Sequence, residues 1–228
     1  MGKAILISAT DTDAGKTYVT CLLGKSLLRQ GIAVAPLKPV ESGCRPGAEG
    51  RPFPADAALL RDAFAPGLPL SSVCCYPLLS VLSPHLAARA EGISIDPGRI
   101  RQTIVDTAKT ADLVLIEGAG GLTVDIREGY SFADLARDLS LPVLIVTGNR
   151  LGALNHLKLT LHYLRSCAIP LFGILLSDLT VEPFPAREPN EIEVLRIAGE
   201  YYLGRIPYGT AVLPDEVFAR FCRSLKYF

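Results

Sequence analysis

The 228 residues predict an α/β protein, with a single doubly wound, mostly parallel sheet and helices on both faces. Three observations lead there. Short apolar runs alternate with helix-patterned segments along the chain. The runs are continuous rather than alternating in polarity, as in strands covered on both faces. Polar, glycine-bearing segments follow several of these runs, at the strand ends where open α/β sheets place ligands.

Residues 4–9 form the first apolar run and lead into the polar loop Thr10-Asp11-Thr12-Asp13. A helical pattern then spans 16–30 and stops at Gly31, a suitable C-terminal breaker. Residues 32–37 read as a second strand ending at Lys38-Pro39. The Gly- and Pro-rich stretch up to Pro54 reads as a functional surface loop. A short helix is expected over 56–64, and another from Asp96-Pro97, with an N-cap and proline at the first helical position. A buried strand over 113–116 should end in the turn Glu117-Gly118-Ala119-Gly120-Gly121. Helices are expected over 132–139, 153–164 and 214–225, and strands over 143–146 and 172–176. Ser83-Pro84-His85 reads as a rigid turn with a packed or hydrogen-bonded histidine. The histidines of the 153–164 helix, His156 and His162, read as structural.

Composition narrows the function. Apolar residues make up 49% and charged residues 20%, an ordinary globular balance that supports one domain over the whole chain. Lys+Arg and Asp+Glu both number 23, so there is no basic field for nucleic acid or an anionic membrane. The six cysteines form no C-x-x-C pair and read as reduced thiols rather than a zinc or disulfide framework. Met1-Gly2-Lys3 does not resemble a secretory leader, and no apolar run approaches the ~20 residues of a membrane span. A cytoplasmic protein is expected.

The chemistry begins at residues 10–17. Asp13-Ala14-Gly15-Lys16-Thr17-Tyr18 spans the join between the first strand and the first helix. Gly15 would let the backbone approach a phosphate, and the first N–H groups of the helix would point at it. Lys16 would reach the terminal phosphates and the Thr17 hydroxyl would ligate Mg²⁺. The usual phosphate-loop pattern has glycine at position 10, where this chain has threonine. The remaining candidates are ambiguous alone. Glu117 beside its glycine run fits a metal-binding carboxylate or a solvated acid in a tight turn. Asp56 fits an ordinary helix cap, and Lys38 an ordinary surface lysine.

Motifs in order decide among these readings. Thr10-Asp11-Thr12-x-x-Gly15-Lys16-Thr17, Lys38-Pro-Val-x-Ser42-Gly, Ser83-Pro84-His85, Glu117-Gly-Ala-Gly-Gly and Leu151-Gly-x-x-Asn155-His156 together resemble the dethiobiotin synthetase family. The resemblance is weakest after about Thr180. It implies a P-loop NTPase-like fold and ATP-dependent closure of a cyclic urea from 7,8-diaminononanoate and CO₂, in biotin synthesis. It further implies that Thr17, Asp56 and Glu117 hold Mg²⁺. Lys16 and Lys38 would be the catalytic cations, with Thr12, Lys38 and Ser42 facing substrate. The nucleotide would lie along Asp13 to Tyr18, Asp56, Glu117, Gly118, Ala119 and Gly120. Its base would meet Ser177, Asp178, Pro207, Tyr208 and Gly209. Many relatives carry Asn-Asp where this chain has Ser177-Asp178, so weaker selection of ATP over CTP or GTP is expected. Gly152, Ala153, Leu154 and Asn155 would bind the substrate carboxylate held by the other subunit of a homodimer. Glu41 stands where relatives often carry a small residue.

Two rivals share the phosphate loop. One is the amidoligase class that builds cobyrinic acid diamides, which usually carries an appended glutaminase domain that this chain is expected to lack. The other is a partition-type ATPase switch, which typically has a second lysine where this chain has Thr10.

Overall fold

A strand that is apolar at both odd and even positions has to be covered on both sides, because successive side chains point to opposite faces. The central strands obey this rule. Leu6, Val114, Ile116, Ile145 and Ile174 enter one core, while Ile5, Ile7, Leu115, Leu144 and Leu175 enter the other. The computed structural model describes residues 2–182 and 184–227, and of Glu49 the backbone alone. Met1, part of the leader reading, lies outside them.

The strands are Lys3–Ala9 (β1), Val34–Leu37 (β2), Leu113–Gly121 (β3), Val143–Asn149 (β4), Leu171–Asp178 (β5) and Tyr202–Ile206 (β6). They form one six-stranded sheet in the order β6-β5-β4-β1-β3-β2, and every pairing is parallel. The helices are Lys16–Arg29 (α1), Ala55–Phe64 (α2), Leu70–Val73 (α3), Pro84–Ala90 (α4), Pro97–Thr107 (α5), Phe132–Asp138 (α6), Ala153–Ser166 (α7), Arg187–Ala198 (α8) and Asp215–Leu225 (α9). α1, α2 and α9 cover one face; α4 to α8 cover the other. Phe172 of β5 meets Phe221 of α9 at a tilt, with centroids 4.9 Å apart, inside the core that holds Ile5, Ile7 and Leu115. At the start of α6, Ser131 and Asp134 form a capping box, a motif whose loss typically costs about 1 kcal/mol. Among the described residues no helix is long and apolar enough to cross a membrane.

Several sequence readings need correction. β3 does not end at Ile116. Its glycine run still pairs with β1, Ala9 opposite Gly121 past a register shift, so Glu117 sits inside the strand. The stretch after β2 is not wholly irregular: Val40–Glu41 pairs with Tyr76–Pro77, and Arg45–Pro46 with Pro52–Phe53. Ser83-Pro84-His85 is a helix start rather than a turn, with Pro84 in the first turn of α4 and the His85 ring nitrogen 3.4 Å from the Ser83 hydroxyl. α8 escaped the sequence reading because Pro189 interrupts its pattern. Proline is tolerated in a first turn, where its missing N–H would have been unpaired anyway.

Of the cysteines, Cys44 and Cys74 are buried and the other four are partly buried, all as free thiols. Burial pushes the Cys44 thiol up to about 11, so it is a poor nucleophile at neutral pH.

Candidate active site

Beyond the C-terminal end of β1 the chain makes a left-handed step at Asp13 (φ 56°) and another at Gly15 (φ 92°). A Cβ on Gly15 would come within 2.7 Å of the Ser177 hydroxyl, so the loop can lie this close to β5 only with glycine there. Thr10 has no such backbone requirement. Its N–H still bonds Val146 of β4 and its hydroxyl lies 3.1 Å from that of Thr147, so the threonine extends the sheet before the loop begins. The departure from the usual glycine is thereby explained. α1 starts with no side-chain cap and no acidic residue in its first turn. Its free N–H groups and the positive end of its dipole are left to an anion.

Lys16 is buried beside this helix start. Burial, then the charge of Lys38, lowers its pKa to about 8. Lys38, just past β2, is 4% exposed. Its ammonium lies 2.6 Å from Glu117 Oε1 and 3.1 Å from Asp56 Oδ2, and donates to the Gly118 carbonyl at 3.3 Å. Burial pulls the Lys38 pKa down, but Glu117 and Asp56 outweigh it and hold the group above the ordinary lysine value. The Thr17 hydroxyl donates to the same Glu117 oxygen at 2.8 Å. The other Glu117 oxygen is buried without a hydrogen-bond partner. An orphaned carboxylate oxygen, a second carboxylate and a hydroxyl are hard donors, and so few protein ligands suit Mg²⁺, which keeps several waters and phosphate oxygens. The residues fit that ion.

A cleft of about 730 Å³ is lined by Lys16, Thr17, Lys38 and Asp56, while Glu117 is fully buried and is not part of the lining. Thr12, Asp13, Gly15, Lys16, Thr17 and Tyr18 line one side; Lys38, Glu41, Ser42 and Asp56 line another; Ala119 and Gly120 close it. Ala14 and Gly118 lie behind this lining and are buried.

The expected base contacts fall outside the cleft. Pro207, Tyr208 and Gly209 lie beyond Tyr18, whose hydroxyl donates to the carbonyls of Pro207 and Thr210. Ser177 is buried beneath Gly15. The Asp178 carboxylate differs from expectation. It points to the opposite face of the sheet, where it accepts from Asn149 at 2.8 Å and Arg205 at 2.9 Å. Alternation along β5 forces this, since neighbouring residues cannot face the same side. Gly152, Ala153, Leu154 and Asn155 begin α7 away from the cleft, with Gly152 as the N-cap residue. Asp11 pairs with Arg150, tying the phosphate loop to the segment before α7.

Sequence reasoning singled out Glu41 but gave it no role. Its carboxylate accepts the backbone N–H groups of Asp56 at 3.0 Å and Ala57 at 2.9 Å, and burial raises its pKa. The signals were its place between Lys38 and Ser42 and its departure from the small residue that relatives often carry there.

A sequence profile described as "AAA domain" matches residues 3–215. The ATP-dependent dethiobiotin synthetase of Aromatoleum aromaticum is 37% identical over 220 residues, covering 95% of this chain and 96% of that protein. Proteins of the same name from Akkermansia muciniphila and Halalkalibacterium halodurans are 36% and 33% identical, covering 93% and 96% of this chain and 95% and 91% of theirs. Among solved structures, a ParA family ATPase from Chlorobium tepidum superposes with a TM-score of 0.54 at 15% identity, covering 100% of this chain and 93% of that one. The MinD cell division protein of Aquifex aeolicus gives 0.52 at 14% identity, covering 98% and 87%. Those two share the fold alone. The sequence matches reach further, because each covers more than 90% of both chains at more than 30% identity, and on that ground the chain belongs to the ATP-dependent dethiobiotin synthetase family.

Proposed function

We propose that the protein forms dethiobiotin from 7,8-diaminononanoate, CO₂ and ATP, releasing ADP and phosphate. The observation that carries the reading is Lys38, a buried cation from a second strand that meets Glu117 beside the phosphate loop. A partition-type switch carries its second lysine in the phosphate loop, where this chain has Thr10; here the second cation comes from beyond β2, and beside Glu117 it suits a reacting anion next to the γ-phosphate.

One amine of the substrate takes up CO₂ as a carbamate, and the carbamate attacks the γ-phosphate. The second amine then closes the ring on the mixed anhydride and expels phosphate. Phosphoryl transfer of this kind asks the protein mainly to position groups and neutralise charge. Lys16, at the start of α1, holds the terminal phosphates. Lys38 holds the carbamate in line. Thr12 and Ser42 face the substrate amines. Thr17, Asp56 and Glu117 would hold Mg²⁺, which supplies charge neutralisation at the phosphates when bound. Backbone near Pro207 to Gly209, with the Ser177 segment, flanks the base. The whole chain acts as one domain, since both cores are built on the same sheet.

The test is ADP release. It should require 7,8-diaminononanoate and CO₂ together. Release that ignores the diamine and responds to DNA would point to a partition-type switch, and amide formation from glutamine or ammonia to an amidoligase.

The site is completed by a second copy of the chain. The first N–H groups of α7 suit a carboxylate at Leu154 and Asn155, the Ala153 N–H being spent on the Arg150 carbonyl, yet Gly152 to Asn155 do not line the cleft of their own subunit. An Asn155→Asp variant, which sets a like charge where the carboxylate would bind, and a Lys38→Ala variant, each inactive alone, should regain roughly a quarter of wild-type activity when mixed. Random association makes half the dimers mixed, and a two-fold interface leaves each with one intact site. Full activity in a dilute monomer would refute the shared site.

A further inference from the structure

Glu41 has no part in the reaction as derived above, yet it is 6% exposed, lines the cleft and spends both carboxylate oxygens on one structural element. That element is the start of α2. A helix start leaves N–H groups unpaired, usually met by the side chain of the N-cap residue. Here the N-cap residue is Pro54, which makes no side-chain bond. Glu41 substitutes from outside the helix. One oxygen accepts from Asp56 N at 3.0 Å and the other from Ala57 N at 2.9 Å. Glu41 is itself anchored, because its strand pairs with Tyr76–Pro77 and its carbonyl accepts from Leu78 N at 2.8 Å.

The clamped residue matters. Asp56 is the α2 residue whose side chain reaches Lys38, at 3.1 Å. Its carboxylate is 42% exposed, so packing alone does not fix it. What holds it in place is the backbone beneath it.

We infer that Glu41 is a positioning residue for the metal and Lys38 centre, acting through the backbone of Asp56 rather than by touching substrate. The inference rests on the proposed reaction only for which ligand the centre serves. The clamp itself is independent of it.

Two measurements apart from turnover test it. Backbone amide exchange at Asp56 and Ala57 should be slow in the wild type and fast in Glu41→Ala. Calorimetric titration of Mg²⁺ in the presence of a non-hydrolysable ATP analogue should show affinity falling about 10–100-fold, the usual cost of losing a group that orients a metal ligand. Glu41→Gln keeps one oxygen acceptor and should restore part of both, which guards against Glu41→Ala simply failing to fold. In steady state, the Mg²⁺ requirement should rise while KM for the diamine stays unchanged. A raised diamine KM with unaltered Mg²⁺ affinity would overturn the inference, because Glu41 would then face substrate. Faster amide exchange with unaltered Mg²⁺ affinity would also overturn it, leaving a helix cap and nothing more. Absence of diamine-dependent ADP release in the wild type would count against the reaction, and the exchange and titration results would still judge Glu41.

Discussion

Lys16→Ala should lower turnover by about 10²–10³-fold, the loss typical when a donor facing developing charge is removed. The fold should survive it. Burial and the nearby charge of Lys38 both disfavour the Lys16 ammonium, which is why its pKa drops to about 8. Removing that charge relieves a strain on the nucleotide-free protein instead of breaking a buried pair. The melting temperature without ligand should therefore stay level or rise slightly, while the increase that Mg²⁺–ATP gives the wild type should shrink. Thermal unfolding with and without nucleotide, set beside ADP release, separates the two effects. Unchanged turnover in this variant would remove the phosphate-loop argument altogether.

What could be read in advance follows physical range. The phosphate loop is local: Gly15, Lys16 and Thr17 are consecutive, so their chemistry is visible before any folding argument. The sheet was legible for a similar reason. Its strands carry continuous apolar runs rather than alternating ones, and that pattern admits few arrangements. Glu117 was half legible. An acid before a glycine run stands out, but glycines carry no side-chain pattern to reveal that they continue pairing with β1. The carboxylate consequently lies deeper than a turn would place it, 0% exposed, and that depth makes its pairing with Lys38 consequential.

Other features depend on contacts that no local pattern encodes. Glu41 meets the start of α2 across 15 residues, and Asp11 meets Arg150 across 139. Asp178 was read with Ser177 as a pair, yet strand alternation gives the two side chains different faces and different work. Its partners Asn149 and Arg205 lie on the strands to either side, β4 and β5's other neighbour β6, and only the pairing order reveals them. α8 was hidden by Pro189, a residue that breaks a helix in the middle and is harmless in its first turn.

Lys38→Ala should damage catalysis and stability together, by separable routes. Loss of a cation that meets the reacting carbamate should reduce turnover by about 10²–10³-fold. Nucleotide binding should persist, because the start of α1 and Lys16 still meet the phosphates; calorimetry with an ATP analogue reads this directly. Stability should fall for another reason. Glu117 is fully buried, and Lys38 is the cation 2.6 Å from it. Removing one partner of such a pair leaves a buried charge with the Thr17 hydroxyl as its remaining side-chain donor, a change that typically costs about 3–5 kcal/mol. Denaturant unfolding without ligand should show that loss. Because Mg²⁺ would bring charge back to Glu117 and Asp56, adding it with nucleotide should return part of the stability but none of the turnover. A variant that regained turnover along with stability would confine Lys38 to a structural role. One that lost nucleotide affinity while still forming carbamate would move Lys38 from the reacting group to the phosphates.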